Sequence, residues 1–260
     1  MGISADFSGC EIKVAAGLSG DRQLYEADIS PFCYKCERNT FVGDECSCGL
    51  KDDGELAGHV GLHWLAAHLA FGSAAVKENR YQAKAVIFRK LFGGQPDSEV
   101  ASKIARTFDT QIAPVYKAWD DWLRTMYASG SLLYRDYSGH GENYSVDLAG
   151  RRRYAIYRTY SGRQIYAGKG EHALGNYAIQ GTARELLVDG ILLWGQSKWG
   201  HLPILPVHDQ IISFVPAEEA EEASRCLREC MATDVLSTDD WNVHIDADLD
   251  PPFQAWPDSS

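Results

Sequence analysis

The feature that most constrains this sequence is residues 203–216, which read PILPVHDQIISFVP. Two short apolar runs, rich in Val, Ile and Phe, flank the polar pair His208-Asp209. This is the pattern of two β-strands joined by a tight turn. An ionised Asp at the tip of such a hairpin is held on rigid backbone at the rim of a sheet. The alternative interpretation is an ordinary turn, because Asp is common in turns for its own hydrogen bonds to the backbone.

A second carboxylate, Asp6, ends a short β-prone run near the start of the chain, in ISADFSGCEIKVAAGLSGD. Glu11 and Lys13 follow it at the start of an apolar helical segment. Two carboxylates at two strand ends suit a pair of Mg²⁺ ions, which prefer oxygen ligands and the company of phosphate groups. The sequence therefore predicts a magnesium site built from Asp6 and Asp209.

Composition narrows the class of protein. A chain of 260 residues, 45% hydrophobic and 23% charged, is long enough for one large core or two modest domains of a soluble protein. No apolar run approaches the ~18 residues of a membrane helix, and residues 1–21 lack the order of a signal peptide, so a cytoplasmic location is predicted. The net charge of −11 argues against nucleic-acid binding through a global positive field.

Local basic grooves remain compatible with that charge. Two windows concentrate Lys and Arg, and the alternative for both is a solvated charged face. They comprise Lys77, Arg80, Lys84, Arg89 and Lys90, and then Arg151, Arg152, Arg153, Arg158 and Arg163.

Four of the seven cysteines crowd into one loop-like segment: Cys33, Cys36, Cys46 and Cys48. Their spacing, C-x2-C and then C-x-C, resembles a small zinc ribbon or knuckle. The second half is tighter than usual, and His59 is a substitute ligand if Cys46 and Cys48 do not both reach one ion. Free thiols are the alternative, and disulfides are the least expected state in a cytosolic chain.

Apolar periodicity predicts helices over residues 11–18, 60–71, 74–92 and 172–194, two more within 101–127, and a surface helix over 216–231. Residues 241–260 are predicted to hold one strand, 243–246, and a Pro-rich tail. In the helix over 74–92, two cations and two aromatics recur at i+4 steps along one slanting face. They are Arg80, Lys84, Phe88 and Phe92.

That face suits the phosphates and the base or sugar of a nucleotide. The alternative is an amphipathic helix with core Phe and snorkelling cations. A second polar line, Asn176, Gln180 and Arg184 in the helix over 172–194, suits base edges in a minor groove, and a solvated polar face is its alternative.

Several separated motifs, in order, resemble one family. DFSGCEIKVAAGLSGD resembles the first palm motif of family A DNA polymerases, and RYQAKAVIFRKLFGG resembles their fingers helix. NYAIQGTA is similar to the helix that precedes the catalytic hairpin, VHDQ to that hairpin, and HWLAAHLAFG to the helix before the fingers motif. The resemblance covers nearly the whole chain except about residues 23–58.

This resemblance implies an α/β (α+β) fold, namely a right-hand polymerase palm with an antiparallel sheet plus helical fingers. Residues 1–22 would be palm with the first catalytic motif, and 23–58 the cysteine-rich insert. Residues 59–130 would be the fingers, and 131–260 palm with the hairpin motif and a C-terminal tail. Thumb and exonuclease regions are expected to be absent from this chain.

The resemblance also implies residue roles. Asp6 and Asp209 would bind two catalytic Mg²⁺ ions, helped by the carbonyl of Phe7. One ion would lower the pKa of the primer 3′-hydroxyl, and the other would neutralise the leaving pyrophosphate. Arg80 and Lys84 match cations that hold the triphosphate, Phe88 matches the aromatic that stacks on the sugar with Phe92 beside it, and Glu11 matches the residue that blocks a ribose 2′-hydroxyl. Residues expected along the DNA are Arg151, Arg152, His172, Asn176, Gln180, His208 and Gln210.

Some positions depart from the family pattern. Gln210 stands where the family usually has Glu, so weakened chemistry is expected. Phe92 replaces a Tyr, while Lys13 and His172 each replace an Arg, which reduces bidentate contacts to point contacts. Pro206 lacks a backbone donor, so its strand is predicted to have one free edge.

The predicted function is a DNA-directed DNA polymerase, expected to be the C-terminal piece of a split or truncated enzyme. An N-terminal polypeptide would supply the thumb and the missing palm strands. One alternative is a catalytically weak polymerase-like subunit that binds primer-template or a partner. Another is a single-subunit RNA polymerase, against which Glu11 argues.

Overall fold

The computed structural model of the chain describes residues 1–29, 32–33, 38–39, 62–71, 77–92, 98–111, 119, 121–122, 133–135, 152–159, 161–167, 170–238 and 241–254. The chain divides into two compact units. One comprises Met1–Val14, Arg158–Arg163 and Ala178–Ser260, and the other Ala15–Tyr157 and Gln164–Tyr177. The domain boundaries expected from the resemblance stay a prediction.

The described strands, in chain order, are β1 (Gly2–Phe7), β2 (Phe32–Cys33), β3 (Arg38–Asn39), β4 (Leu133–Arg135), β5 (Arg152–Arg158), β6 (Gln164–Ala167), β7 (Ile204–Val207), β8 (Gln210–Phe214), β9 (Thr233–Thr238), β10 (Trp241–Ile245) and β11 (Ala247–Leu249). The described helices are α1 (Cys10–Ser19), α2 (Arg22–Ile29), α3 (Leu62–Phe71), α4 (Lys77–Leu91), α5 (Glu99–Gln111), α6 (Gly170–Gly195) and α7 (Ala220–Met231).

An antiparallel sheet in the order β11-β1-β8-β7 forms the centre of the first unit. β1 lies between two strands and is buried along its length, and Asp6 is its one half-exposed residue. Helix α7 packs against β1 and β11 through small and apolar residues one or two turns apart, as an amphipathic helix does on a sheet. These buried residues are Ala220, Ala223, Leu227 and Met231.

The hairpin predicted from residues 203–216 is confirmed as β7 and β8, with His208 and Asp209 between them. Pro206 lies in β7, which is an edge strand among the described residues, so its missing N–H leaves no ladder bond unmade. The remaining strands form the pairs β9–β10 and β2–β3 and the sheet β4-β5-β6.

One expectation is corrected. The strand predicted over 243–246 corresponds to β10, but it is not the last strand, because β11 follows it and pairs with β1 beside Asp6. Helix α2 overlaps the start of the expected cysteine-rich insert, and it packs on α3 with its Leu24 fully buried. Pairing with β1 and packing on α3 are tertiary contacts, which local sequence does not display.

The second unit contains the helices α2 to α5, in which α3 packs on α2, α4 and α5. Asp21 begins α2 as its cap, because its Oδ1 accepts from the N–H of Leu24 at 3.0 Å. Ser98 caps α5 in the same way through a bond from Ala101 N at 3.1 Å. Helix α4 turns Ala83, Val86, Ile87 and Leu91 inward, so its other face is the more exposed one.

Helix α6 runs for 26 residues, longer than predicted, and ends at Gly195. Trp194 stacks on Trp199 just beyond that end, with ring centroids 5.8 Å apart, and Trp199 Nε1 donates to Glu219 at 2.6 Å. Neither α6 nor any other helix in the described ranges is long and apolar enough to span a bilayer.

Candidate active site

Strand β1 and the β7–β8 hairpin bring Asp6 and Asp209 together. Val207 pairs with Gln210, so the turn contains only His208 and Asp209. The N–H of Phe7 donates to the carbonyl of Asp209 at 3.3 Å, which fixes the turn against the end of β1. The carboxyl group of Asp6 lies within hydrogen-bonding reach of that of Asp209.

The environment of Asp6 opposes its negative charge. Burial, followed by the charge of Asp209 and a hydrogen bond with it, raises the pKa of Asp6 to about 6, and Asp250 and Asp248 add to the shift. Its Oδ1 is buried and has no hydrogen-bond partner among the described residues. A bound cation is one way to satisfy such an oxygen and relieve the repulsion.

The oxygen atoms at the end of β1 are donors of the kind that hard cations accept. Within the described ranges, no three His, Cys, Asp or Glu side chains are arranged to enclose a metal ion. Two carboxylates and the nearby Phe7 carbonyl remain, which is the partial set that Mg²⁺ accepts when substrate phosphates and water complete its coordination.

His208 adopts a left-handed backbone conformation, with φ of +55°. This is the first position of a two-residue hairpin turn, where glycine is the usual choice because side chains disfavour positive φ. The backbone therefore carries local strain one residue before Asp209, as happens at sites where position matters more than stability. The His208 side chain is exposed.

The cationic and aromatic face predicted on α4 is present. Lys84 Nζ lies 5.6 Å from the centroid of the Phe88 ring, and Phe88 stacks on Phe92 at 6.0 Å. The ring of His63, from α3, lies 5.8 Å from Phe88. Arg80, Lys84 and Phe88 are not fully buried, so their groups are open to a ligand.

His63 is a candidate residue that sequence reasoning missed. Burial first, and then the charges of Arg80 and Lys84, lower the pKa of His63 to about 3, so the imidazole is neutral at physiological pH. Its Nε2 is buried and has no hydrogen-bond partner in the described part of the chain. The signal was its place in HWLAAHLAFG, one of the motifs that carry the resemblance.

The polar line on α6 is also present, with Asn176 half-buried and Gln180 and Arg184 exposed. The turn between β5 and β6 is fastened to this helix by Glu185, which accepts from Thr159 Oγ1 at 2.5 Å and from Arg163 Nε at 3.0 Å. Arg163 Nη2 also donates to the carbonyl of Gly181 at 3.1 Å. These bonds lower the pKa of Glu185 against the opposing effect of its burial, which is the largest single cause.

The other predicted residues are placed as follows. Glu11 is half-buried in the first turn of α1, and Gln210 is half-buried at the start of β8. Arg152 belongs to β5 and His172 to α6, whereas Arg151 lies outside the described residues. Cys33 ends β2, and Cys36, Cys46 and Cys48 lie outside the described residues, as does His59.

Two acidic residues near Asp6, Asp248 and Asp250, were also missed. Asp248 pairs with Asp6 across β1 and β11, and Asp250 follows β11 directly. The alternation of Asp with Ala and Leu in DADLD was a period-two signal that could have indicated a strand.

Comparison with known proteins places this chain in a family. The profile of DNA polymerase family A matches residues 1–251. The chain is 26% identical over 251 residues to the DNA polymerase of Mycobacterium phage D29, covering 91% of this chain and 33% of that protein. It is 27% identical over 245 residues to the thermostable DNA polymerase I of Thermus filiformis, covering 88% of this chain and 24% of that protein.

A solved structure supports the fold. The POL domain of Pol1 from M. smegmatis, in complex with DNA primer-template and dNTP, matches 95% of this chain and 39% of its own, with a TM-score of 0.58 and 19% identity. The mixed helical and antiparallel architecture is therefore that of a polymerase domain, as predicted. The chain belongs to DNA polymerase family A.

Proposed function

We propose that this chain is the palm and fingers portion of a DNA-directed DNA polymerase, which joins deoxynucleotides to a primer 3′-hydroxyl. The observation that carries the proposal is the meeting of Asp6 and Asp209 at one strand end, in a chain that matches the family over residues 1–251. Nucleotidyl transfer needs fixed oxygens that hold cations where phosphate charge develops, and this pair supplies them.

The residues at the end of β1 fit two Mg²⁺ ions, held by Asp6 and Asp209 with the carbonyl of Phe7. The buried Oδ1 of Asp6 has no hydrogen-bond partner among the described residues, and a hard cation satisfies such an oxygen and favours its ionised form. When bound, Mg²⁺ lowers the pKa of the primer hydroxyl and neutralises the leaving pyrophosphate. Phe7 and the turn at Asp209 keep the carboxylates in place.

The exposed face of α4 binds the incoming nucleotide in this proposal. Arg80 and Lys84 neutralise the triphosphate, and Phe88, stacked against Phe92, offers a flat surface to the sugar. His63 adds a neutral imidazole whose unpartnered Nε2 can donate to a phosphate oxygen without adding charge. Glu11 is proposed to exclude a ribose 2′-hydroxyl.

The duplex is proposed to lie along α6 and the hairpin tip. Amide and guanidinium groups on one helix face suit the minor groove, where the acceptor pattern varies little with sequence. The similar Pol1 structure contains primer-template and dNTP, which supports these as partners. The proposed DNA contacts are Arg151, Arg152, His172, Asn176, Gln180, His208 and Gln210.

We further propose an N-terminal polypeptide as partner, supplying the thumb and further palm strands. The chain spans about a third of the phage relative, namely 33%. Val188 and Leu192, one turn apart on α6, are 40% and 59% exposed, and we propose that the partner covers this apolar pair. We also propose that the four clustered cysteines bind one structural Zn²⁺. The proposed location is the cytoplasm of a bacterium or of a phage-infected host.

Templated extension tests the function. Primer extension is measured for the chain alone and for the chain with the proposed N-terminal partner. Four primer-templates are used, which differ only in the template base to be copied. Each deoxynucleotide and each ribonucleotide is supplied separately. Incorporation should follow base pairing and favour deoxynucleotides, and an assembly without this chain is the control. Binding of primer-template without incorporation in every assembly would contradict the proposal and favour a non-catalytic subunit.

A further inference from the structure

The carboxylate of Asp250 links two strands of the central sheet. Its Oδ2 accepts from Ser4 Oγ at 2.6 Å and from Gln210 Nε2 at 3.1 Å. The backbone N–H of Asp250 also donates to the carbonyl of Ser4 at 3.4 Å. Because Ser4 belongs to β1 and Gln210 to β8, one carboxylate oxygen just after β11 bonds to two neighbouring strands of the sheet.

These contacts fix which way the Gln210 amide faces. A carboxylate only accepts hydrogen bonds, so the NH₂ group of Gln210 must face Asp250, and its carbonyl Oε1 is left as the acceptor for other groups. Gln210 immediately follows Asp209, and its Cα is paired with that of Asp6 across the β1–β8 ladder. The amide is thus fixed beside both carboxylates of the candidate active site.

A carboxylate at position 210 would meet a different environment. It would face the Oδ2 of Asp250 at about the distance of the present hydrogen bond, with Asp6 opposite it across the β1–β8 ladder and Asp209 next to it in sequence. Two like charges so close repel each other even when water screens them fully. An amide at position 210 avoids this repulsion and donates a hydrogen bond to Asp250 instead.

We propose that Asp250 is a positioning residue that holds the Gln210 amide beside the Asp6–Asp209 pair, so that this chain requires an amide, not a carboxylate, at position 210. The inference rests on the proposed polymerase function for its effect on activity. The contact itself rests only on the geometry of Ser4, Gln210 and Asp250. The effect on activity and the contact can therefore be measured in separate experiments.

Activity is tested by exchanging the two groups. Primer extension is measured for Q210E, for Q210E/D250N, in which the amide and the carboxylate trade places, and for Q210E/D248N as the matched control. The control removes one nearby exposed acid without restoring the contact. We expect Q210E to lose about tenfold in rate, Q210E/D250N to recover to within about threefold of wild type, and Q210E/D248N to stay low.

Two activity results would overturn the inference. One is a Q210E rate equal to or above that of wild type. The other is equal rescue by D248N and D250N, because that would reduce the effect to net charge. Either result leaves the polymerase function intact, since wild type extends primers in both.

A double-mutant cycle on thermal unfolding tests the contact without activity. Melting temperatures are compared for wild type, Q210E, D250N and the double variant, with the D248N series alongside. We expect Q210E and D250N to be non-additive and Q210E and D248N to be additive. Additivity of both pairs would overturn the inference, even if wild type extended no primer and the proposed function failed.

Discussion

Asp6 shows how one half-buried carboxyl group can lower the stability of the fold at neutral pH. Its folded-state pKa of about 6 exceeds the ordinary value of 3.8, chiefly through burial and the charge of Asp209. Between these two pH values the folded chain holds a proton that the unfolded chain releases. The contribution of Asp6 to stability therefore falls as pH rises through this window and stays low above it.

Asp6→Asn should therefore stabilise the metal-free chain at pH 7.5 while abolishing nucleotide addition. With allowance for the half-exposed carboxyl, we expect about 1 kcal/mol, or about 2–4 °C in melting temperature. The gain in stability should vanish near pH 4, where the Asp6 side chain of the folded wild-type chain is protonated and therefore as neutral as Asn. Thermal unfolding in chelator measures it, with Asp248→Asn as control. An unchanged or lower melting temperature at pH 7.5 would contradict this electrostatic description.

His63 leads to a prediction about affinity. Its Nε2 has no hydrogen-bond partner among the described residues, beside Phe88 and in the field of Arg80 and Lys84. We expect His63→Ala to raise KM for the incoming nucleotide about fivefold with a smaller change in kcat, and His63→Gln, which keeps a donor, to recover part of the loss. With a pKa of about 3, His63 should add no step to the KM profile between pH 5 and 8. Steady-state kinetics measures both constants, and equal KM values in all three proteins would contradict a role of His63 in nucleotide binding.

At the scale of elements, the turn after α6 depends on a close backbone approach. A Cβ on Gly200 would lie 2.2 Å from the carbonyl oxygen of Gly195, whereas a Cβ on Gly195 would meet nothing within 4 Å. The turn positions Trp199, whose stacking on Trp194 and bond to Glu219 join α6 to the segment before α7.

Gly200→Ala should destabilise the fold by about 1–3 kcal/mol, because backbone must move to admit the methyl group. Gly195→Ala is the matched control and should lie within about 0.5 kcal/mol of wild type. Chemical unfolding followed by Trp fluorescence reports both. Similar losses of unfolding free energy in the two variants would show that the close backbone approach at Gly200 is not what requires glycine in this turn.

The secondary-structure elements show how much of the site could be predicted from sequence. The β7–β8 hairpin, β1 and α4 could be predicted because their residues alternate or recur at i+4 within a short stretch. Predicting these elements also identified Asp6, Asp209 and the exposed face of α4 as candidates. β11 is three residues long and exists through its pairing with β1, so Asp248 and Asp250 entered the site unforeseen. The pKa of His63 depends on burial and on charges from another helix, which spacing does not reveal.

At the scale of the whole molecule, the net charge bears on the proposed binding of DNA. The net charge of −11 gives no global attraction for phosphates, so in our proposal the affinity for DNA comes from local cations and from a partner. The exposed Val188 and Leu192 of α6 offer an apolar surface for that partner.

We expect the chain to elute with an N-terminal polymerase polypeptide and to extend primers only in that complex. Leu192→Lys should weaken co-elution about tenfold or more, because it places a charge in the apolar contact, while Gln196→Lys one turn further on should not. Size-exclusion chromatography with an extension assay on each fraction measures both. Processive synthesis by a monomer of this chain would contradict the partner requirement.

The most direct measurement is single-turnover nucleotide addition, in Mg²⁺, by matched acid-to-amide variants in whichever assembly is active. Asp209→Asn removes one member of the carboxylate pair, and Asp248→Asn removes an exposed acid paired with Asp6 on β11. The predicted result is a loss of at least about a thousandfold for Asp209→Asn and less than about threefold for Asp248→Asn. Near-normal addition by Asp209→Asn would contradict a polymerase centre built on Asp6 and Asp209.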